Sequence, residues 1–511
     1  MPAINNSDYK LDDKYRELLS HSKPREGLAR KTLRGGAAVM GAEIASTLLR
    51  FGSIIVLARL LLPEDFGLLA MVTALTIFAE QFKDFGLADA TVQTKEITHS
   101  QISKLFWINL AICIGITLVV ASLSKAIAWF YNEPRLVAVS LVIASTFLFS
   151  GLVIQHQALL RRQLQFGLIS VINLCSLVLS LFVAIVLAYY DFGYWALVAR
   201  DFSRAVFVVI GIWFACPWRP DLPRRGVSIT RFVTFARNVT GFNIFYFFSH
   251  YFDKILIGKL FGPSWVGIYL NAYQLISLPV SQLQYPMNTV ALPALSALQK
   301  EPSNFRVFYA HMIQLLTFFT MPLVAFLALF GDVIVILILG PKWMSAVPIF
   351  QILAIGAFVM PLVNSTGLAL VASGNTIVYF RMGAINACSL VCCLSIGSFW
   401  GVMGVANGYS ISAYLALFVC LVYGMRHTPI LVLPLLRRIA PICFCSLFTA
   451  FIFLYVRYSL GWVFPPQWLA VFAIAGIATY LGLWLVIPGG RRILLNYWSY
   501  AKDMIRMGKE K

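Results

Sequence analysis

Four groups of charged side chains lie where the surrounding sequence is otherwise apolar. Glu43 and Arg50 are seven residues apart, two helical turns on one face. Glu80, Lys83 and Asp84 follow, with positions 80 and 84 sharing a face. Arg200, Asp201 and Arg204 form the third group, the arginines being an i,i+4 pair. Arg237, Asn238, Asn243, His250, Asp253 and Lys254 form the fourth, with 250, 253 and 254 on one side. A charge at the centre of a spanning helix costs about 2.5 to 3.5 kcal/mol on insertion scales, so such residues usually face a wet cavity and carry function. Guanidinium groups are planar, permanently charged donors suited to phosphate oxygens, which makes Arg50, Arg200, Arg204 and Arg237 candidates for an anion site. The carboxylates Glu43, Glu80, Asp84 and Asp253 would neutralise those arginines or take a coupling proton or sodium ion. The competing account of each group is a structural ion pair between neighbouring helices; Lys83 has the further option of snorkelling to the cytoplasmic end of its span, and His250 that of a satisfied interior histidine.

The elements that must position these residues follow from composition. The 511-residue chain is 60% hydrophobic and 12% charged, with mean hydropathy +0.81, which excludes a single soluble core and a disordered chain alike. A spanning helix needs about 20 apolar residues, and about fourteen such segments occur: near 36–60, 67–90, 105–126, 137–159, 168–190, 194–216, 234–261, 265–297, 308–339, 346–372, 376–399, 402–425, 440–460 and 467–488. The net charge of +19 would suggest nucleic acid in a soluble protein, but here it sets topology. With the N-terminus inside, the inner connections hold most of the Lys and Arg residues, and the outer ones hold Arg59, Lys125, Arg135, Lys259, Lys342 and Arg457. Both termini are therefore expected in the cytoplasm, which needs an even number of crossings, and a nucleic-acid partner is not expected.

The expected organisation is a polar cytoplasmic tail (1–35), a first lobe of six spans (36–216), a cytoplasmic linker (217–233), a second lobe of six spans (234–425), spans 13 and 14 with their preceding loop (426–488) and a basic tail (489–511). The first 34 residues lack the short apolar region and small-residue cleavage site of a secretory signal. The basic tail alternates apolar residues with bases, which suits a helix in the headgroup region or a solvated topology signal. No connection is long enough for a folded catalytic or nucleotide-binding domain, no G-x-x-x-x-G-K-[ST] motif occurs, and neither a Ser/His/Asp arrangement nor a metal-ligand cluster is visible. An enzyme is not expected, nor is a cofactor beyond a possible coupling ion. The nine cysteines lie almost wholly inside apolar stretches, without zinc-site spacing, and read as small core residues. Asp-Phe-Gly at 65–67, 84–86 and 191–193 reads as helix-end turns, and the sequons at Asn238 and Asn364 fall inside spans.

The chain also repeats itself. At an offset of 200 residues, VLARLLLPEDFGLLAMVTAL (56–75) falls over LIGKLFGPSWVGIYLNAYQL (256–275) without a gap. Gly41, Ile44, Ile55, Leu60, Pro63, Gly67 and Leu75 match their counterparts, and Arg59 and Lys259 match in charge. The shared signature, small-basic-Leu-x-x-Pro-x-x-x-Gly, is that of a turn. Six spans separate the copies, so the halves have one orientation and are expected to relate by an axis along the membrane normal, enclosing a cavity whose access alternates. The charges put that cavity mainly in the first half plus span 7.

The stretch LLRFGSIIVLARLLLPEDFGLLAMVTALTIFAEQFKDFGLADATVQ (48–93) resembles the start of Wzx-type polysaccharide flippases of the multidrug/oligosaccharidyl-lipid/polysaccharide superfamily, in the branch of the colanic acid exporter. The run A-R-x-L-x-P-x-D-F-G-x-x-A followed by F-x-D-F-G-L-x-x-A carries the likeness, and DKILIGKLFGPSWVGIYLNAYQL (253–275) is similar to the family's second half. The resemblance covers most of 30–425 and fades over the last two spans. It implies an all-α polytopic fold of two six-helix lobes plus two C-terminal helices, in the bacterial inner membrane among its lipids. It implies transfer of an undecaprenyl-pyrophosphate-linked oligosaccharide to the periplasmic leaflet, alongside a polymerase and export machinery, for exopolysaccharide or lipopolysaccharide biosynthesis. Arg50 is the positional match to the family's diphosphate-holding arginines; Arg200, Arg204, Arg237 and Lys254 join it by their chemistry. A multidrug/cation antiporter of the same architecture would favour acidic cavity residues, and a membrane-embedded glycan polymerase or glycosyltransferase would need a large outer loop.

Overall fold

Inside a bilayer every backbone N–H and C=O must be satisfied within the protein, so apolar segments of this length fold as helices. The computed structural model describes residues 28–84, 86–94, 97–223, 251–459, 466–487 and 490–491 together with Tyr15, and its regular elements there are all helical. The chain divides into two compact units, Met1–Gly267 and Ile268–Lys511.

The first unit contains α1 (Leu28–Leu60), α2 (Pro63–Glu80), α3 (Leu87–Gln93), α4 (His99–Tyr131), α5 (Leu136–Arg162), α6 (Phe166–Tyr189) and α7 (Tyr194–Ala215), then α8 over 251–261. Local chemistry sets the ends. Pro63 opens α2, where a missing N–H costs nothing, and the Leu62 N–H donates to Asp65 Oδ2 at 2.9 Å. Thr98 and Gln101 cap each other at the start of α4, and Asn132 ends it in the left-handed region at φ 54°. Helices α4 and α5 pack together, as do α6 and α7; α1 lies along α6, and α7 also meets α5. Ile102, Leu105, Phe106, Leu160 and Trp218 form one buried core, and Cys113, Ala144, Phe147 and Ala158 another.

After α7 the chain runs extended over 216–223 and is fixed to α4. Trp218 is fully buried and its Nε1–H donates to His99 Nδ1 at 3.0 Å, while Trp107 Nε1–H donates to the Asp221 carbonyl at 2.8 Å. The start of the expected linker is thus part of the first unit's core, and 224–233 lie outside the described residues. Helix α8 also belongs to this unit: Gly258 sits against Met71 and Tyr131, and Lys259 Nζ donates to the Phe130 carbonyl.

The second unit takes most of α9 (Pro263–Ala297), then α10 (Pro302–Leu329), α11 (Gly331–Leu339), α12 (Ala346–Ala357), α13 (Met360–Ala372), α14 (Thr376–Gly397), α15 (Gly401–Val419), α16 (Val432–Ser459) and α17 (Leu469–Val486). Close approach of α14 and α15 depends on glycine: a Cβ at Gly397 would overlap the Gly404 carbonyl, and one at Gly404 would overlap that of Gly397. Arg457 Nη2 donates to Asp332 Oδ2 at 2.6 Å and ties α16 to α11.

Among the described residues nine stretches are long and apolar enough to cross a membrane. One of them, Thr376–His427, is two helices, α14 and α15, broken at Gly401 where φ is +73°. Helices α2, α7 and α9 have the length at 18, 22 and 35 residues, but acids or arginines in α2 and α7, and amides in α9, lower their apolar character. With α8, every expected segment holds helix, but 67–90, 308–339 and 346–372 are each two helices rather than one, and 234–250 of the seventh lie outside the described residues. The chain is a polytopic, all-α membrane protein.

Candidate functional site

Arg50 lies within α1, and Arg200, Asp201 and Arg204 lie on α7. Helix α6 packs on both of these helices. The charges of Arg50, Asp201 and Arg200 all act on Arg204. Arg200 Nε donates to Asp201 Oδ1 at 2.9 Å, with both side chains about one-third exposed or less. Among the described residues neither Arg50 nor Arg204 has an ion-pair partner. Arg200, Asp201 and Arg204 thus form a charged group on α7 with one positive charge in excess, and Arg50 lies exposed on α1. Arg200 and Arg204 are an i,i+4 pair of like charges on one helix face, which an anion bound beside them would compensate. The planar forks favour an oxyanion with several oxygens.

The other predicted residues separate from this group. Glu43, two turns before Arg50, is exposed. Glu80 and Lys83 form a 3.8 Å pair one turn apart, both more than one-third exposed, a contact of little energetic weight. Asp84 is a capping residue: its Oδ1 accepts from the Ala88 N–H at 2.9 Å and from Asn109 Nδ2 at 3.1 Å, beside Gly86 at φ +75°. It holds the start of α3. Asp253 and Lys254 pair with each other on α8 at 3.1 Å, both nearly buried, with the ammonium 5.3 Å from the Tyr251 ring. Arg237 and His250, with Asn238 and Asn243, lie outside the described residues.

Several polar residues have roles the sequence reading did not assign. Arg162 is 2% exposed and donates from Nη1 to the Thr91 carbonyl at 3.0 Å and to that of Thr94, capping the C-terminus of α3. Thr91 Oγ1 in turn donates to Gln155 Oε1 at 3.0 Å. The Arg161–Arg162 pair reads in sequence as an inner-loop signal, and nothing local separates the second arginine from the first. At the opposite end of α5, Arg135 joins Glu64 and Glu133, with Nε 2.8 Å from Glu133 Oε1; the guanidinium holds the Glu133 carboxyl below its usual range. The second unit has no comparable group of charges among its described spans, but it contains two apolar grooves. One of about 800 Å³ opens between α10, α12, α15 and α16, and one of about 500 Å³ between α10, α16 and α17. Their linings suit hydrocarbon. No set of three or more His, Cys, Asp or Glu side chains among the described residues could hold a metal ion.

Comparison with known proteins agrees with this architecture. The model of the family described as polysaccharide biosynthesis protein matches residues 56–348. The teichuronic acid biosynthesis protein TuaB of Bacillus subtilis is 28% identical over 305 residues, which span 58% of this chain and 62% of that protein. The lipopolysaccharide biosynthesis protein WzxC of Escherichia coli is 24% identical over 75% of this chain and 78% of its own. Among solved structures, the lipid II flippase MurJ in an inward closed conformation superposes with a TM-score of 0.71 at 14% identity, covering 87% of this chain and 97% of MurJ. An inward-facing multidrug resistance transporter of the MATE family superposes at 0.56, also 14% identical, over 75% of this chain and 94% of its own. At these identities the two structures share the fold.

Proposed function

This chain belongs to the polysaccharide biosynthesis protein family, and from that premise we propose that it is a flippase moving an undecaprenyl-pyrophosphate-linked oligosaccharide from the cytoplasmic to the periplasmic leaflet. The observation that carries the reading is the charged group of Arg200, Asp201 and Arg204 on α7, which has one positive charge in excess in an otherwise apolar helix, with Arg50 on α1. A diphosphate diester carries two negative charges, and its oxygens match paired guanidinium forks. Sugars fill the aqueous space beside it while the isoprenoid stays in hydrocarbon. The protein sits in the bacterial inner membrane with both termini cytoplasmic, and the repeat unit it moves feeds a polymerase and export machinery. Transport alternates access by rocking of helix bundles, and a proton or sodium ion taken by Glu43 or Asp253 would supply coupling. Lys254, Arg237 and His250 are second-line candidates for contacts on the seventh span.

The multidrug antiporter shares the fold, so charge has to choose between them. A cation carrier with arginines in excess of carboxylates on a translocation helix would repel its own cargo. The deciding experiment deletes the gene in its host and measures surface polymer together with lipid-linked oligosaccharide on each leaflet. Loss of polymer with completed units accumulating on the cytoplasmic side supports the flippase; intact polymer with altered resistance to cationic drugs overturns it.

A further inference from the structure

The indole of Trp218, fully buried in the extended segment after α7, can only donate a hydrogen bond. Its partner is His99 Nδ1 at 3.0 Å, so that nitrogen offers a lone pair and the ring proton of neutral His99 sits on Nε2. Nε2 faces Asp221 Oδ2 at 3.3 Å and Ser103 Oγ at 3.3 Å, and Ser103 Oγ accepts from the Asp221 N–H at 3.2 Å. The Tyr15 ring stacks on the imidazole at 5.2 Å and helps to bury it. One side chain at the start of α4 thus holds the polar tail through Tyr15 and the extended segment through both Trp218 and Asp221. From α5, His156 lies edge-on to Trp218 at 5.0 Å. Arg219, the remaining charge of the segment here, is turned away: it stands over Trp213 at 5.1 Å and donates to the carbonyls of Trp213, Cys216 and Trp218.

We propose that this node is an acid-released strap: neutral His99 clamps the segment 216–223 to α4, and a proton taken up at Nδ1 ejects Trp218. The geometry leaves little choice of outcome. A proton on Nδ1 sets two donors, the ring N–H and the indole N–H, against each other, and a buried indole without an acceptor is an unsatisfied donor that folded proteins avoid. The opposite nitrogen keeps its proton and its carboxylate, so the imidazolium is paired with Asp221 through a charge-assisted contact. The bond that fails is therefore the one to Trp218, and Asp221 stays. With Trp218 seated, the connection from α7 to the next span is fixed to the first unit's core; with it ejected, that anchor is loosened. The proton comes from solution, reaches the imidazole by way of the half-exposed Asp221, and no covalent bond other than N–H changes. The switch is independent of the cargo and goes beyond the flippase reading, because it needs only the packing of α4, α5 and the extended segment.

The test uses purified full-length protein in nanodiscs, labelled with fluorotryptophan, with the fluorine resonance of Trp218 identified by its loss in Trp218→Phe. Titration from about pH 8 to about pH 5 should replace a buried Trp218 resonance by a solvent-exposed one, reversibly. In His99→Asn the amide oxygen stands in for Nδ1 and takes no proton, so Trp218 should stay buried throughout. In His99→Leu the acceptor is gone and Trp218 should be exposed already at the alkaline end. A Trp218 resonance that stays buried in the wild type over the whole range overturns the proposal. An acid response in His99→Asn equal to that of the wild type also overturns it, and assigns the response to another group such as His156.

Discussion

Gly67 and Pro263 touch through the backbone: a Cβ on Gly67 would overlap the Pro263 carbonyl oxygen, and reciprocally a Cβ on Gly267 would overlap the carbonyl of Pro63. The four residues are the Pro-x-x-x-Gly pair of the internal repeat, 200 positions apart. The two copies of one turn signature thus meet, each glycine making room for the helix start of the other. Small residues are what let helix backbones approach this closely. Glu64 with Arg135, and Lys259 with the Phe130 carbonyl, close the same end of the first unit.

Gly67→Leu and Gly267→Leu should each hold these helix starts apart. Overpacking of this kind costs about 1 to 3 kcal/mol, and flipping of a fluorescent lipid-linked oligosaccharide in proteoliposomes should fall at least tenfold while membrane insertion is retained. Gly67→Ala, with one methyl to place, should be milder. Wild-type flipping by both leucine variants would mean that the contact is dispensable.

Arg50→Ala should abolish polymer export while the protein still inserts, and Arg204→Gln should do the same. Arg204→Lys should recover only part of the activity, because an ammonium is a point charge without the bidentate fork. Normal export from a well-folded Arg50→Ala protein would remove Arg50 from the site.

Arg162→Met should destabilise the protein by about 3 kcal/mol, since the buried carbonyls of Thr91 and Thr94 lose their donor. The melting temperature in detergent reports it. Arg161→Met, at an exposed neighbour, should change stability by less than about 0.5 kcal/mol; equal losses for the two would show that the cap contributes nothing.

The Glu64–Arg135–Glu133 group should respond to acid. Because Arg135 holds the folded-state Glu133 carboxyl below its ordinary 4.5, the stabilising contribution is complete above that value and is lost as pH falls through the lowered one. Protease accessibility of the 132–135 connection should therefore rise in the wild type only on acidification below the ordinary glutamate range. In Arg135→Gln it should be high already at neutral pH, and a pH-independent, protected loop in that variant would contradict the assignment.

Helix formation closes each hydrogen bond four residues away, so runs of apolar residues were legible along the chain, and with them the fold class. The duplicated Pro-x-x-x-Gly signature was legible for the same reason. The places where charge breaks apolar runs could also be read. What no local pattern contains is which helices lie side by side, because that depends on the packing of whole surfaces brought together after the helices exist. Packing of α6 on both α1 and α7 brings the helices of Arg50 and Arg204 against a common neighbour. The same tertiary step turned Asp84 from a candidate ion carrier into the cap of α3, separated Arg162 from its exposed neighbour Arg161, and set two glycines 200 residues apart against each other's proline carbonyls.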